Sequence, residues 1–165
     1  MPSITNEMLP LQQQMRFFMR QALSLAQTAA SEGEVPVGAV IVCDGEVVGR
    51  GYNQVEKLKD PTAHAELIAL TAACNTLGTK FLNGCTMYVT LEPCPMCAGA
   101  LVWSRLDRLV FGAHDARAGA CGSIMNIVQN SALNHRLEVI QGIMDVESEA
   151  LLKEFFRDKR KNFEF

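Results

Sequence analysis

Between Leu11 and Ala30 apolar side chains return every three or four positions, at Leu11, Met15, Phe18, Met19, Ala22, Leu25 and Ala29, which predicts an amphipathic helix. Its opposite face is not basic, so the stripe reads as core rather than as a membrane face. Gly33 to Pro36 ends that helix. Val37 to Cys43 and Glu46 to Tyr52 then read as two strands joined by a tight hairpin at Asp44-Gly45. A second helix carries Ala65, Leu67, Ile68, Leu70 and Ala72, with a start signal at Asp60-Pro61-Thr62 and an end near Gly78. Further on, Thr86 to Leu91 and Arg108 to Phe111 are strands flanking a helix from Pro95 to Ser104. Leu137 to Ile140 predicts a last short strand, and Glu147 to Arg160 a final helix with Leu151, Leu152, Phe155 and Phe156 facing inward. Strands alternating with helices imply an α/β chain with a largely parallel sheet covered on both faces. Gly112 to Ser123 is too glycine-rich for regular structure and follows a strand end, where ligand loops of such folds lie.

Composition narrows the setting. The 165 residues are 48% hydrophobic and 20% charged, which describes one ordinary globular domain over 1–165. No basic segment precedes an apolar run at the N-terminus and no stretch approaches membrane-span length, so the expectation is a cytoplasmic protein without a membrane partner. A formal charge of −3 argues against a strong nonspecific grip on nucleic acid. Locally, however, Lys153, Arg157, Arg160 and Lys161 fall at helical spacing and form a basic stripe. In a reducing compartment the six cysteines are thiols, and Cys43, Cys74, Cys85 and Cys121 read as small apolar residues.

The remaining two cysteines carry chemistry. His64-Ala65-Glu66 is answered downstream by Pro93-Cys94-Pro95-Met96-Cys97. One imidazole and two thiolates suit zinc better than magnesium or calcium, and three protein ligands leave the fourth position that a catalytic zinc keeps for water. Two thiolates offset the metal's charge, so that water needs a base, and Glu66 is placed to be one. Residues two apart do not share a helix face, so His64 and Glu66 converge only at a helix end. Pro95 marks a second helix start beside Cys94, and two positive helix ends then favour the thiolates. A redox Cys-x-x-Cys would leave Glu66 without a task, and a closed structural zinc would need a fourth ligand from afar, Cys121 or His114. No hydrolase triad and no phosphate-cradling loop is visible.

H-x-E followed by P-C-x-x-C is the signature of zinc-dependent nucleobase deaminases. The wider strings Asp60 to Glu66, Val89 to Ala100, Phe111 to Arg117 and Asn134-His135-Arg136 resemble those of bacterial tRNA-specific adenosine deaminases, over about Val35 to Arg160. That resemblance implies a cytidine deaminase-like three-layer α/β/α sandwich with a mixed sheet of about five strands. It further implies one Zn2+ per subunit on His64, Cys94 and Cys97, Glu66 as the catalytic proton carrier, and a homodimer acting on a tRNA anticodon stem-loop. The reaction so implied is hydrolytic conversion of the wobble adenosine to inosine. Asn53, which follows a strand and would otherwise be a turn former, becomes a base contact; Asp115, Arg117, Asn134 and His135 become candidates for flanking nucleotides. Arg117 and Ala118 stand where the family commonly has lysine and threonine, which keeps a charge and removes a hydroxyl. The Pro-Cys-Pro-Met-Cys string with Trp103 also occurs in relatives acting on free guanine or other small bases, the alternative activity. From another class, a noncatalytic zinc-stabilised RNA-binding subunit would have no use for Glu66.

Overall fold

A computed structural model of the chain describes residues 9–163; the ends of the expected 1–165 domain, 1–8 and 164–165, lie outside it. Ten elements follow one another: α1 (Leu11–Ser31), β1 (Gly38–Cys43), β2 (Glu46–Tyr52), α2 (Val55–Leu58), α3 (Ala65–Leu77), β3 (Cys85–Leu91), α4 (Pro95–Trp103), β4 (Arg108–Ala113), β5 (Glu138–Ile140) and α5 (Asp145–Lys161). Five strands form one sheet in the order β2-β1-β3-β4-β5.

The sheet is mixed. β1 pairs antiparallel with both β2 and β3, whereas β3–β4 and β4–β5 are parallel. The expectation of a largely parallel sheet is therefore corrected in its pairings and kept in its directions, because β1 alone runs against the other four strands. The physical reason is the two-residue hairpin, which forces β2 antiparallel to β1, while α3 and α4 are long enough to return the chain in a parallel sense.

Period-two burial divides the core. Ala39, Ile41, Met87 and Val89 face α3 and α4, and Val40, Val42 and Tyr88 face α1. α1 buries most of the predicted stripe, with Met15, Phe18, Met19, Ala22 and Ala29 inside, Leu25 half-buried and Leu11 exposed at the helix start. Gly49 and Gly51 let α3 lie directly on β2: a Cβ on Gly51 would collide with the carbonyl of Ala65, and one on Gly49 with that of Ala69. This close seating sets where the first turn of α3 emerges.

One packing expectation fails. Leu151, Leu152 and Phe155 are only half-buried, Phe156 is 46% exposed, and Ser148 is the buried residue of α5. The helix lies against β4 and α1 without a further layer to cover its second apolar face.

Candidate metal and catalytic site

His64 is the N-cap of α3 and Cys94 the N-cap of α4, both in extended conformation, so the chain delivers each ligand as it turns into a helix. Pro95 occupies the first turn of α4, where its missing N–H costs nothing. The start signal at Asp60 proves to be a turn of its own: the Asp60 carboxylate accepts from the N–H and hydroxyl of Thr62, and α3 begins at Ala65. Glu66 then sits in the first turn of α3, which is how two residues of opposite helix faces meet one point.

His64, Cys94 and Cys97 gather their ligand atoms within 4.8 Å of one another, the cluster of this kind found among the described residues. His64 Nδ1 lies 3.6 Å from Cys94 Sγ and 3.5 Å from Cys97 Sγ. Tetrahedral zinc, with bonds of about 2.3 Å to sulfur and about 2.05 Å to nitrogen, requires N···S separations of about 3.6 Å. The donors fit that ion. Neither candidate fourth ligand joins them: the Cys121 thiol is buried against the Pro93 carbonyl, and His114 lies beside Glu92 and Ser123.

Hydrogen bonding within the cluster sets which ligand gives up its proton first, and that ligand is Cys94. Hydrogen bonding by the Cys97 thiol, followed by that of His64 and the backbone N–H of Cys97, pulls the Cys94 thiol down to about 4. Cys97 is pushed up, since it donates to Cys94 and is buried. Hydrogen bonding to Cys94 raises the His64 imidazole above its ordinary value. Glu66 is 4% exposed, and desolvation drives its carboxyl up to about 7 against the pull of its own backbone N–H and His64. A carboxyl poised near neutrality is able both to take and to give a proton.

These groups open into a cavity of ≈ 300 Å³ walled by Val35, Val37, Val55 and Leu91. Asn53 lines it. Its Nδ2 donates to the Val35 carbonyl at 3.3 Å, while its buried Oδ1 has no partner. Buried acceptors are rarely left unpaired, so this atom points to a ligand donor. Asp115 lines the cavity as well, but its carboxylate accepts from the N–H groups of Arg117 and Ala118 and so caps its own loop. Arg117 lies outside the cavity, in an adjoining groove of ≈ 800 Å³ that shares Val35, Leu91, Asp115 and Lys159 with it. Asn134 and His135 are not brought to the site at all within one chain; they line a separate groove beside Phe81 and Trp103.

A model of the MafB19-like deaminase family matches residues 13–160. A tRNA-specific adenosine deaminase of Aquifex aeolicus is 49% identical over 146 residues, 88% of this chain and 96% of that protein. The chain belongs to the tRNA-specific adenosine deaminase family. As a member of that family it is an enzyme, a deaminase, and its mixed α/β sandwich is the family's fold. A solved structure from studies of A-to-I editing by tRNA:A34 deaminases at the wobble position superposes with a TM-score of 0.80 at 42% identity, covering 82% of this chain and 99% of that one. The guanine deaminase of Nitrosomonas europaea shares the fold with a TM-score of 0.74 at 26% identity, over 85% and 83% of the two chains.

Three further residues shape this deaminase's site: Glu34 and Lys159 escaped the sequence, whereas Glu92, beside the Pro93-Cys94 turn, is placed by the sequence itself to shape it. Glu92, fully buried, accepts from the N–H groups of Asp115, Cys121 and Ser123 and from the Ser123 hydroxyl, and so ties the glycine-rich loop to the turn that presents Cys94. Gly119 passes so close to that carboxylate that a Cβ would strike it. Glu34 is buried and receives the N–H groups of Glu56 at 2.6 Å and Lys57 at 3.2 Å, fixing α2 at the cavity wall. Lys159, off the predicted basic stripe, reaches the cavity from α5.

Proposed function

We propose that this chain hydrolytically deaminates the wobble adenosine of a tRNA anticodon loop to inosine, as a single zinc-dependent deaminase domain working in the cytoplasm. The observation that carries the proposal is the three-ligand cluster at tetrahedral zinc spacing, with the buried Glu66 beside it, under a cavity that exposes an unpaired amide oxygen. His64, Cys94 and Cys97 hold the zinc, and when bound it supplies the Lewis acidity that makes a water easier to deprotonate.

The chain's own groups do the rest. Glu66 takes a proton from the attacking water and delivers it to ring N1 of adenine. A second proton passes through the same carboxylate to the amine leaving C6, so oxygen ends on carbon and ammonia departs. Asn53 orients the purine through the free Oδ1, and Val35, Val37, Val55 and Leu91 exclude water around the ring. An anticodon loop offers a base that leaves its stack at small cost.

In the adjoining groove, the half-exposed Phe156 and exposed Phe163 with Arg117, Lys159 and Arg160 supply stacking faces and cations, the chemistry that holds single-stranded nucleotides. A homodimer belongs to the same proposal. Trp103 is 79% exposed, and Leu133 lies exposed in the same groove, an apolar face that a second copy would cover. Asn134 and His135 border that face, so any contact they make to RNA runs through the dimer.

Zinc-loaded protein should form inosine in an anticodon stem-loop carrying adenosine at the wobble position, and not in parallel reactions with adenine, adenosine, cytidine or guanine. Ammonia released from guanine alone would transfer the site to the free-base reaction of its Nitrosomonas relative. No turnover of any substrate, with zinc bound, would leave an RNA-binding subunit.

A further inference from the structure

At the end of the sheet remote from the catalytic cavity, Cys43 of β1 stands directly opposite Cys85 of β3. Both are free thiols. The hydrogen-bond directions define the kind of pair they make. Cys85 donates its N–H to the Leu82 carbonyl at 3.1 Å and accepts at its own carbonyl from Asp107 at 3.2 Å, so neither group turns to β1. Cys43 faces Glu46 across the two-residue turn Asp44-Gly45, and its peptide groups are directed to β2. The two cysteines are therefore a non-hydrogen-bonded antiparallel pair, the kind in which Cα atoms approach to about 4.5 Å and side chains stand closest. Disulfides span Cα separations of about 4.4 to 6.8 Å. Both side chains point to the same side of the sheet, where Cys85 is core and Cys43 packs on its edge.

We propose that Cys43 and Cys85 are a redox-modifiable pair, which closes to a cross-strand disulfide when a small-molecule disulfide of the glutathione class reaches Cys43. Cys43, half-exposed at the sheet end, attacks one sulfur of the oxidant, forms a mixed disulfide and expels one small thiol. Cys85 then attacks the Cys43 sulfur, the intramolecular S–S bond forms, and the second small thiol leaves. Two protein thiols are oxidised, one small disulfide is reduced to two thiols, and the protein's two sulfur-bound protons end on them. Burial, with the Cys43 thiol beside it, pushes Cys85 up to about 12, which makes Cys43 the entry point and the closing step the slower one.

The chain's other cysteines do not compete for this role. Cys74 lies on α3 and not in the sheet, Cys121 is buried against Pro93, and Cys94 and Cys97 are occupied when zinc is bound. Val37 and Leu91, which line the catalytic cavity, lie six residues along the strands from Cys43 and Cys85, roughly 20 Å away at strand rise. The pair is independent of the deamination chemistry.

The test incubates zinc-loaded full-length protein with oxidised glutathione, blocks residual thiols, and reads intact mass, cross-linked peptides and zinc content. The expected product has lost two hydrogens, carries one peptide link between Cys43 and Cys85, and retains its zinc. Cys43→Ser should form no link, and Cys85→Ala should stop as a glutathione adduct on Cys43; either variant alone suffices if the other does not fold. The proposal is overturned if the wild type accumulates the Cys43 adduct without closing, if it stays fully reduced at saturating oxidant, or if the link joins Cys94 to Cys97 with loss of zinc.

Discussion

Glu66 and Glu92 are both buried carboxyl groups near the same cavity, and their surroundings drive them in opposite directions. Glu66 has few donors and is pushed up by desolvation, which suits proton transfer. Glu66→Gln should keep fold and zinc while lowering single-turnover inosine formation by about 10³-fold, within the range for loss of a general base; undiminished turnover would remove Glu66 from the chemistry. Desolvation acts on Glu92 too, but donors from Ser123, Cys121 and Asp115 outweigh it and hold the carboxyl below its ordinary value of 4.5. A group depressed in the folded state contributes stability that is fully present above its unfolded value and is lost as pH falls through the folded one. The melting temperature of the wild type should therefore drop more steeply than that of Glu92→Gln between about pH 5 and about pH 3. At neutral pH Glu92→Gln should itself be less stable by about 1 to 3 kcal/mol, because its amide turns a donor toward N–H groups that need an acceptor. Parallel pH curves would mean that Glu92 is not the linked group.

Helix starts are the elements that build the site, and the glycines of β2 decide where one of them sits. Gly51→Ala should cost about 1 to 3 kcal/mol in denaturant unfolding, since α3 must lift off the sheet to clear the new methyl. Weaker zinc retention should accompany it, because His64 moves with α3; a variant as stable as the parent would show that the contact yields freely. α5 acts differently, through its uncovered side. Lys159→Ala and Arg160→Ala should each weaken stem-loop binding and make the slope of log K against log salt shallower by about one, as expected when a single phosphate is no longer neutralised. An unchanged slope would detach that groove from the RNA.

At the scale of the whole molecule, three candidate ligands drawn from two helix starts mean that a bound zinc would tie α3 to α4 on one face of the sheet. Stripping zinc with a chelator should lower the melting temperature and abolish turnover together, and zinc, not magnesium, should restore both. A melting temperature indifferent to the metal would confine the ion to chemistry alone. The mixed sheet belongs to this scale as well. β1 inserts between β2 and β3, which brings Cys43 to Cys85 and leaves the starts of α3 and α4 at one edge of the core.

The cluster of His64, Cys94 and Cys97, with Glu66 beside it, was legible in the chain because residue type, short spacing and the proline after Cys94 are local properties, and local chemistry is written in consecutive residues. So were α1, the hairpin and the order of the strands and longer helices, each carried by its own periodicity or turn; the four-residue α2 was not. Asn53 was legible as a polar group after a strand, but its unpaired oxygen became visible only where Val35 and the cavity wall meet it. Tertiary structure alone decided the rest. Glu92 and Glu34 fasten the loop and α2 because donors distant in sequence converge on them, and Lys159 stands with Arg160 of the predicted stripe at the adjoining groove because helix rotation depends on what the helix packs against. Asn134 and His135 line a separate groove of the same chain, and Phe156 turned outward, for the same reason: periodicity says which residues share a face, and only packing says what that face meets.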